Sequence, residues 1–226
     1  MPDKILIADD VHEILIARLK AQGYEVHYRP RIHRDEIERD FAEYTGIVIR
    51  SKTDLDRKIL SRATRLRFIA RAGAGVDRID EAFCREKEIV IMNAPEANRD
   101  ALGEHMMGML LALLNQIHTA DAEIRKGIWD RQNNRGTELG GRTVGIIGYG
   151  HMGSAFAQRL AGFNCRVIAY DKYRKGYSDE VAEEVSLETI FGETDILSLH
   201  VPLNEETRGY YDRTFFSHFN KQLIVM

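Results

Sequence analysis

Short apolar runs alternate along this chain with longer stretches in which apolar residues recur at helical spacing. Ile5, Leu6, Ile7 and Ala8 read as a buried strand, and residues 11–20 follow as a helix carrying Ile14, Leu15 and Leu19. Gly23 ends that helix, and a second strand resumes over 25–28. The alternation continues with a helix over 34–41, a strand over 46–49 and a helix over 55–63. A strand over 68–70, a helix over 79–86 and a strand over 89–91 complete it. Strand–helix units of this length predict a parallel sheet with helices on both faces.

Residues 98–126 break the rhythm: the pattern predicts one long helix, apolar from Leu102 to Ile117. A helix that apolar is expected to be buried on several sides, between domains or between subunits. After a polar loop over 130–141, alternation resumes with a strand over 143–147, a helix over 152–161 and a strand over 166–170. A short helix over 185–191, a strand over 196–199 and the start of another at 223–226 follow. The expected boundary lies near Pro95 to Asn98, giving a first domain over 1–97 and a second over 98–226.

Composition narrows the class. At 226 residues the chain is comfortable for two domains, and 44% hydrophobic with 30% charged residues is ordinary for a globular protein. A formal net charge of -3 gives no basic field for nucleic acid or an anionic membrane. Cys84 and Cys165 are too few and too far apart for a disulfide framework or a thiolate metal site. The longest apolar stretch, 106–114, is too short to span a bilayer. A soluble cytoplasmic protein with no metal is the expectation.

The sharpest motif is Gly148-Tyr149-Gly150-His151-Met152-Gly153. A lone G-x-G-x-x-G is weak, but here a strand precedes it, a helix follows, and the next strand ends in Asp171. Gly148 permits the tight turn, Gly150 a close backbone approach to a pyrophosphate, and Gly153 close helix–strand packing. The helix N-terminus offers N–H groups and a positive dipole end. Asp171 accepts hydrogen bonds from ribose hydroxyls and repels a 2′-phosphate, which favours NAD over NADP. Lys172, Arg174 and Lys175 just beyond it partly offset that repulsion.

Further motifs occur in a telling order. Residues 71–80, Arg-Ala-Gly-Ala-Gly-Val-Asp-Arg-Ile-Asp, are followed by Asn93-Ala94-Pro95, Asn98 and Glu104. Gly127-Ile128-Trp129, the run from Glu138 to Val144, and His200-Val201-Pro202-Leu203 with Thr207 come next. Together they resemble the D-isomer-specific 2-hydroxyacid dehydrogenases along essentially the whole chain, most of all the branch that acts on D-3-phosphoglycerate in serine biosynthesis. The resemblance implies an α/β fold of two Rossmann-like doubly wound parallel-sheet domains, the first flavodoxin-like. It implies NAD as cofactor, with Gly148, Tyr149, Gly150, His151, Met152, Gly153, Asp171, His200, Val201, Pro202 and Thr207 at the cofactor. It assigns the substrate carboxylate to Arg50, Ser51, Lys52, Arg71, Gly73 and Ala74. A glycine loop suits a carboxylate, and Arg50, Lys52 and Arg71 suit a phosphate as well.

The implied chemistry is hydride transfer between substrate C2 and the nicotinamide, with a histidine, an acid and an arginine assisting. In the family those three follow a strand that corresponds to 223–226, so no catalytic residue is assigned and they are expected beyond Met226. A chain ending there is expected to be part of a longer protein and, by itself, to bind cofactor without turnover. The eight histidines offer no substitute: His200 is best placed but structural or cofactor-adjacent, and no H-E-x-x-H occurs.

Two other classes compete. Ile5-Leu6-Ile7-Ala8-Asp9-Asp10 resembles the acidic pocket of phospho-receiver domains, but the third strand ends Ile49-Arg50-Ser51 without a phosphoacceptor aspartate. Asp9 and Asp10 are therefore expected to cap the first helix and stand in its first turn. A non-catalytic NAD-binding scaffold of the corepressor kind is the second alternative. A small-molecule substrate is expected, most simply 3-phosphoglycerate/3-phosphohydroxypyruvate, with glyoxylate or hydroxypyruvate open. No nucleic acid or membrane partner is expected, and the apolar helix with Trp129 points to a homodimer.

Overall fold

A computed structural model describes residues 2–226. The chain divides into two compact units, the first ending at Ala97 and the second running from Asn98 to Met226. In the first unit the elements run β1 (Lys4–Ile7), α1 (Glu13–Ala21), β2 (Glu25–Tyr28), α2 (Arg34–Asp40), β3 (Gly46–Ile49) and α3 (Arg57–Leu60). They continue with β4 (Phe68–Arg71), α4 (Glu81–Glu86) and β5 (Val90–Met92). All five strands are parallel in the order β2-β1-β3-β4-β5, the flavodoxin-like arrangement.

Because side chains alternate across a pleated strand, each central strand feeds two hydrophobic layers. Leu6, Ile47, Ile49 and Ile69 pack with Ile37, Phe41, Ile59 and Leu60 on one face. Ile5, Ile7 and Val48 pack with Leu15, Leu19 and Val26 on the other. Each fully buried aliphatic side chain contributes roughly 1.5–3 kcal/mol, so this double burial outweighs any single polar contact in the unit.

The first helix corrects the reading of the acidic pair. It begins at Glu13, and its N-cap is His12, whose side chain accepts from the Ile14 N–H. Asp9 instead stays at the end of β1, buried, and accepts the Arg50 N–H at 2.6 Å. Asp10 accepts from the Tyr28 hydroxyl at 3.1 Å. The helix expected over 55–63 contracts to α3, because Leu55 is drawn into a bridge with Ile79 and Asp56 caps at the Ile59 N–H.

The second unit runs α5 (Arg99–Leu114), α6 (Ile117–Ile124), β6 (Thr143–Ile147), α7 (His151–Leu160), β7 (Arg166–Tyr170) and β8 (Glu183–Glu184). It ends with α8 (Leu187–Glu193), β9 (Ile196–Leu199), α9 (Arg213–Phe216) and β10 (Ile224–Val225). Its parallel strands lie in the order β10-β9-β6-β7-β8, the open order of dinucleotide-binding sheets. Phe156 and Leu160 of α7 pack with Val144 and Ile146 of β6 and Leu110 of α5. Ile168, Ile190, Leu197 and Phe215 fill the opposite layer.

The single long helix expected over 98–126 is two. Gln116 adopts a left-handed conformation (φ 50°) between α5 and α6. The break is held by the polar loop that follows: Gln116 Nε2 donates to the Asn133 carbonyl at 2.9 Å, and the Thr137 N–H donates to the Leu114 carbonyl at 2.8 Å. Met107, Leu110 and Leu114 are buried, whereas Leu113, Ile117, Ile124 and Ile128 are exposed and Trp129 is 80% exposed. Among the described residues no helix is long and apolar enough to cross a membrane.

Candidate functional site

The glycine turn sits where the strand order of the second sheet reverses. β6 pairs with β7 on one side and β9 on the other, so the loops after β7 and β9 diverge and leave a crevice at the carboxyl end of β6. Each glycine of the turn answers to a different constraint. Gly148 has φ +92°, and a Cβ there would fall 2.5 Å from the His200 carbonyl oxygen. At Gly153, inside α7, a Cβ would fall 2.1 Å from the Gly148 carbonyl oxygen. Gly150, the N-cap of α7, faces open space: a Cβ there meets nothing within 4 Å. That open cradle at a helix N-terminus fits a pyrophosphate.

Asp171 is fixed by three backbone donors. Its Oδ2 accepts the Tyr149 N–H at 2.9 Å, and its Oδ1 accepts the Tyr173 and Arg174 N–H groups at 2.9 and 3.0 Å. A carboxylate has about four acceptor sites, so one remains on Oδ2 for a ribose hydroxyl. Tyr149 itself turns away from the crevice. Its ring is buried, stacks on Tyr177 at 5.2 Å, and its hydroxyl donates to Asp179 at 2.7 Å, tying the glycine turn to the loop after β7. His151 and Met152 form the first turn of α7.

On the other wall, the His200 N–H donates to the Ile147 carbonyl at 2.8 Å, and its Nε2 meets Ser198 Oγ at 2.8 Å. Burial pulls its pKa down to about 4, so the imidazole is neutral at physiological pH and suits packing better than proton transfer. Thr207 Oγ1 accepts the Asn204 N–H at 3.0 Å and donates to the Pro202 carbonyl at 2.5 Å, closing the loop after β9. Gly148, Gly150, Asp171, His200, Val201, Pro202 and Thr207 line one cavity of about 330 Å³. Tyr149, His151, Met152 and Gly153 do not line it. The cavity is also walled by Lys172, which follows Asp171, and by residues that the motifs did not mark: Tyr173, Glu206, Tyr210, Tyr211 and Phe215. The aromatic density of 210–219 was the only signal for the last three.

In the first unit, Arg50, Ser51 and Lys52 follow β3, while Arg71, Gly73 and Ala74 stand at the end of β4. Ile49 lies opposite Arg71 in the paired strands, so the structure brings the two loops side by side. The Asp9 carboxylate holds the Arg50 backbone, and Lys52 Nζ donates to the Pro30 carbonyl, 4.0 Å from Asp9. The glycine loop is pinned by Asn93 Nδ2, which donates to the Ala74 carbonyl at 2.6 Å, and by the Ala94 N–H on the Gly73 carbonyl at 3.0 Å.

Residues 107–226 match the family model described as D-isomer specific 2-hydroxyacid dehydrogenase, NAD binding domain. The D-3-phosphoglycerate dehydrogenase of Archaeoglobus fulgidus is 33% identical over 228 residues, which cover 99% of this chain and 43% of that protein. The hydroxypyruvate reductase of Thermotoga maritima is 36% identical over 195 residues, covering 86% of this chain and 63% of that one. This chain thus spans less than half the length of that phosphoglycerate dehydrogenase. Among solved structures, a glyoxylate reductase from Paecilomyes thermophila shares the fold with a TM-score of 0.90 at 22% identity, over 99% of this chain and 72% of that one. With its glycine turn, ribose-side aspartate and sheet order in place, the chain belongs to the D-isomer specific 2-hydroxyacid dehydrogenase family, and its cofactor is NAD.

Proposed function

We propose that the chain serves an NAD-dependent dehydrogenase that interconverts a small D-2-hydroxy acid and its 2-oxo acid, with 3-phosphoglycerate/3-phosphohydroxypyruvate as the substrate pair. The observation that carries the reading is the crevice in the second unit, where an open glycine cradle and a backbone-fixed Asp171 stand at the switch point of the sheet. Bound there, NAD supplies the hydride acceptor or donor. The residues of the chain bind and orient it: Gly150 leaves room for the pyrophosphate, Asp171 holds a ribose hydroxyl, and the neutral His200, directly after β9, packs against Phe156 of α7.

A phosphorylated substrate is favoured by Arg50, Lys52 and Arg71 at the ends of two paired strands, three cations where a lone carboxylate needs one. The name of the Archaeoglobus relative agrees, and the Thermotoga relative's name marks hydroxypyruvate as the alternative. Calorimetric titration of 3-phosphoglycerate against glycerate tests the choice, with Arg71→Ala as control. Tighter binding of the phosphorylated acid that Arg71→Ala abolishes supports it; equal binding of the two acids refutes the phosphate assignment. A homodimer is part of the same proposal. The exposed apolar run of Leu113, Ile117, Ile124, Ile128 and Trp129 is a surface that a second copy would cover.

A further inference from the structure

Three cations follow Asp171, and each is engaged. Arg174 donates to the Tyr149 carbonyl, and its guanidinium lies 5.9 Å from the centre of the Tyr177 ring. Lys175 Nζ stands 5.8 Å from the centre of the Tyr170 ring. Lys172 is different, because its partner comes from the opposite wall of the crevice: its ammonium donates to the carboxylate of Glu206, which also accepts from the Tyr173 hydroxyl. Asp171, Lys172, Tyr173 and Glu206 all line the same cavity.

Glu206 is presented by a constructed turn. Asn204 Oδ1 accepts the Glu206 and Thr207 N–H groups, both at 3.0 Å, and Thr207 Oγ1 closes the turn on the Pro202 carbonyl. The pair acts on itself as expected: Lys172 and Tyr173 hold the Glu206 carboxyl below its usual range, and Glu206 raises the Lys172 ammonium. A 2′-phosphate on the ribose carries close to two negative charges and needs a cation within reach.

We propose that Glu206 is a second cofactor-specificity residue, which holds Lys172 across the crevice and so withholds its ammonium from the 2′-phosphate of NADP. This rests on the NAD-binding reading of the crevice. Asp171 repels the phosphate from one wall; Glu206 neutralises the lysine that would otherwise offset that repulsion and adds a carboxylate from the other. Both groups are exposed, so screening limits the effect to about tenfold rather than thousandfold.

The test is fluorescence titration of NADH and NADPH at low ionic strength into the wild-type chain, Glu206→Gln, and Glu206→Gln combined with Lys172→Met. Glu206→Gln is expected to raise the NADPH-to-NADH affinity ratio about tenfold. Adding Lys172→Met should remove most of that gain. Normal NADH binding with an unchanged NADPH-to-NADH ratio in Glu206→Gln overturns the inference alone. A gain that survives Lys172→Met in full also overturns it, because the lysine would then play no part. A folded wild-type chain that binds no NADH overturns the NAD-binding reading and this inference with it.

Discussion

Two glycines three residues apart should respond in opposite ways to the same substitution. At Gly153 an added methyl meets the Gly148 carbonyl oxygen at 2.1 Å, a backbone atom that yields only if the glycine turn shifts. Overpacking against a backbone atom at so close a contact costs about 2–3 kcal/mol, offset by about 1 kcal/mol from the better helix propensity of alanine. Gly153→Ala should therefore lose about 1–2 kcal/mol, which lowers the urea midpoint of the second unit by roughly 0.5–1 M. At Gly150 the added methyl meets nothing within 4 Å, and its φ of -90° suits any residue. Gly150→Ala should cost no more than about 1 kcal/mol, the loss expected when alanine replaces an N-cap glycine, yet weaken NADH by at least about tenfold because the methyl occupies the space of the pyrophosphate. Urea titrations followed by circular dichroism and NADH fluorescence titrations measure both quantities. A wild-type midpoint for Gly153→Ala would refute the packing argument. NADH affinity within about twofold of wild type for Gly150→Ala would refute the cradle.

Further outcomes follow from single groups. Burial lowers the His200 pKa from 6.5 to about 4, so the folded state favours the neutral ring. Its contribution to stability is full above about pH 6.5 and is lost as the pH falls toward 4, amounting to at most about 3 kcal/mol. His200→Gln should flatten that part of the acid limb in urea midpoints taken between pH 7 and 4.5; an unchanged slope rules the histidine out. Trp129→Ala removes the most exposed apolar side chain beside α6 and should shift sedimentation velocity profiles toward monomer at low micromolar protein. An unchanged profile would argue against the homodimer through this face.

The parts of the fold that were legible in the sequence are those written in local pattern. β6, the glycine turn, α7 and β7 are contiguous, and their strand-turn-helix-strand chemistry leaves few alternatives. What escaped was set by partners far along the chain. Asp9 has the side chain of a helix cap, but the Arg50 N–H, 41 residues away, claims it across the sheet. The break at Gln116 depends on carbonyls at 133 and 135, which no helical periodicity in 98–126 encodes. β8 is two glutamates whose only strand-like property is pairing with the edge of β7. In the site, Asp171 was readable from spacing, whereas Glu206, Tyr210 and Tyr211 sit in a loop without period and reach the cavity only through its turn chemistry.

NADH titration of the chain by fluorescence, beside Asp171→Ala, tests the cofactor site most directly. Saturable NADH binding that weakens at least about tenfold in the variant is the expected result, since the ribose loses its carboxylate partner. Absent NADH binding in a chain that circular dichroism shows to be folded, or equal affinity in Asp171→Ala, would contradict the site described here.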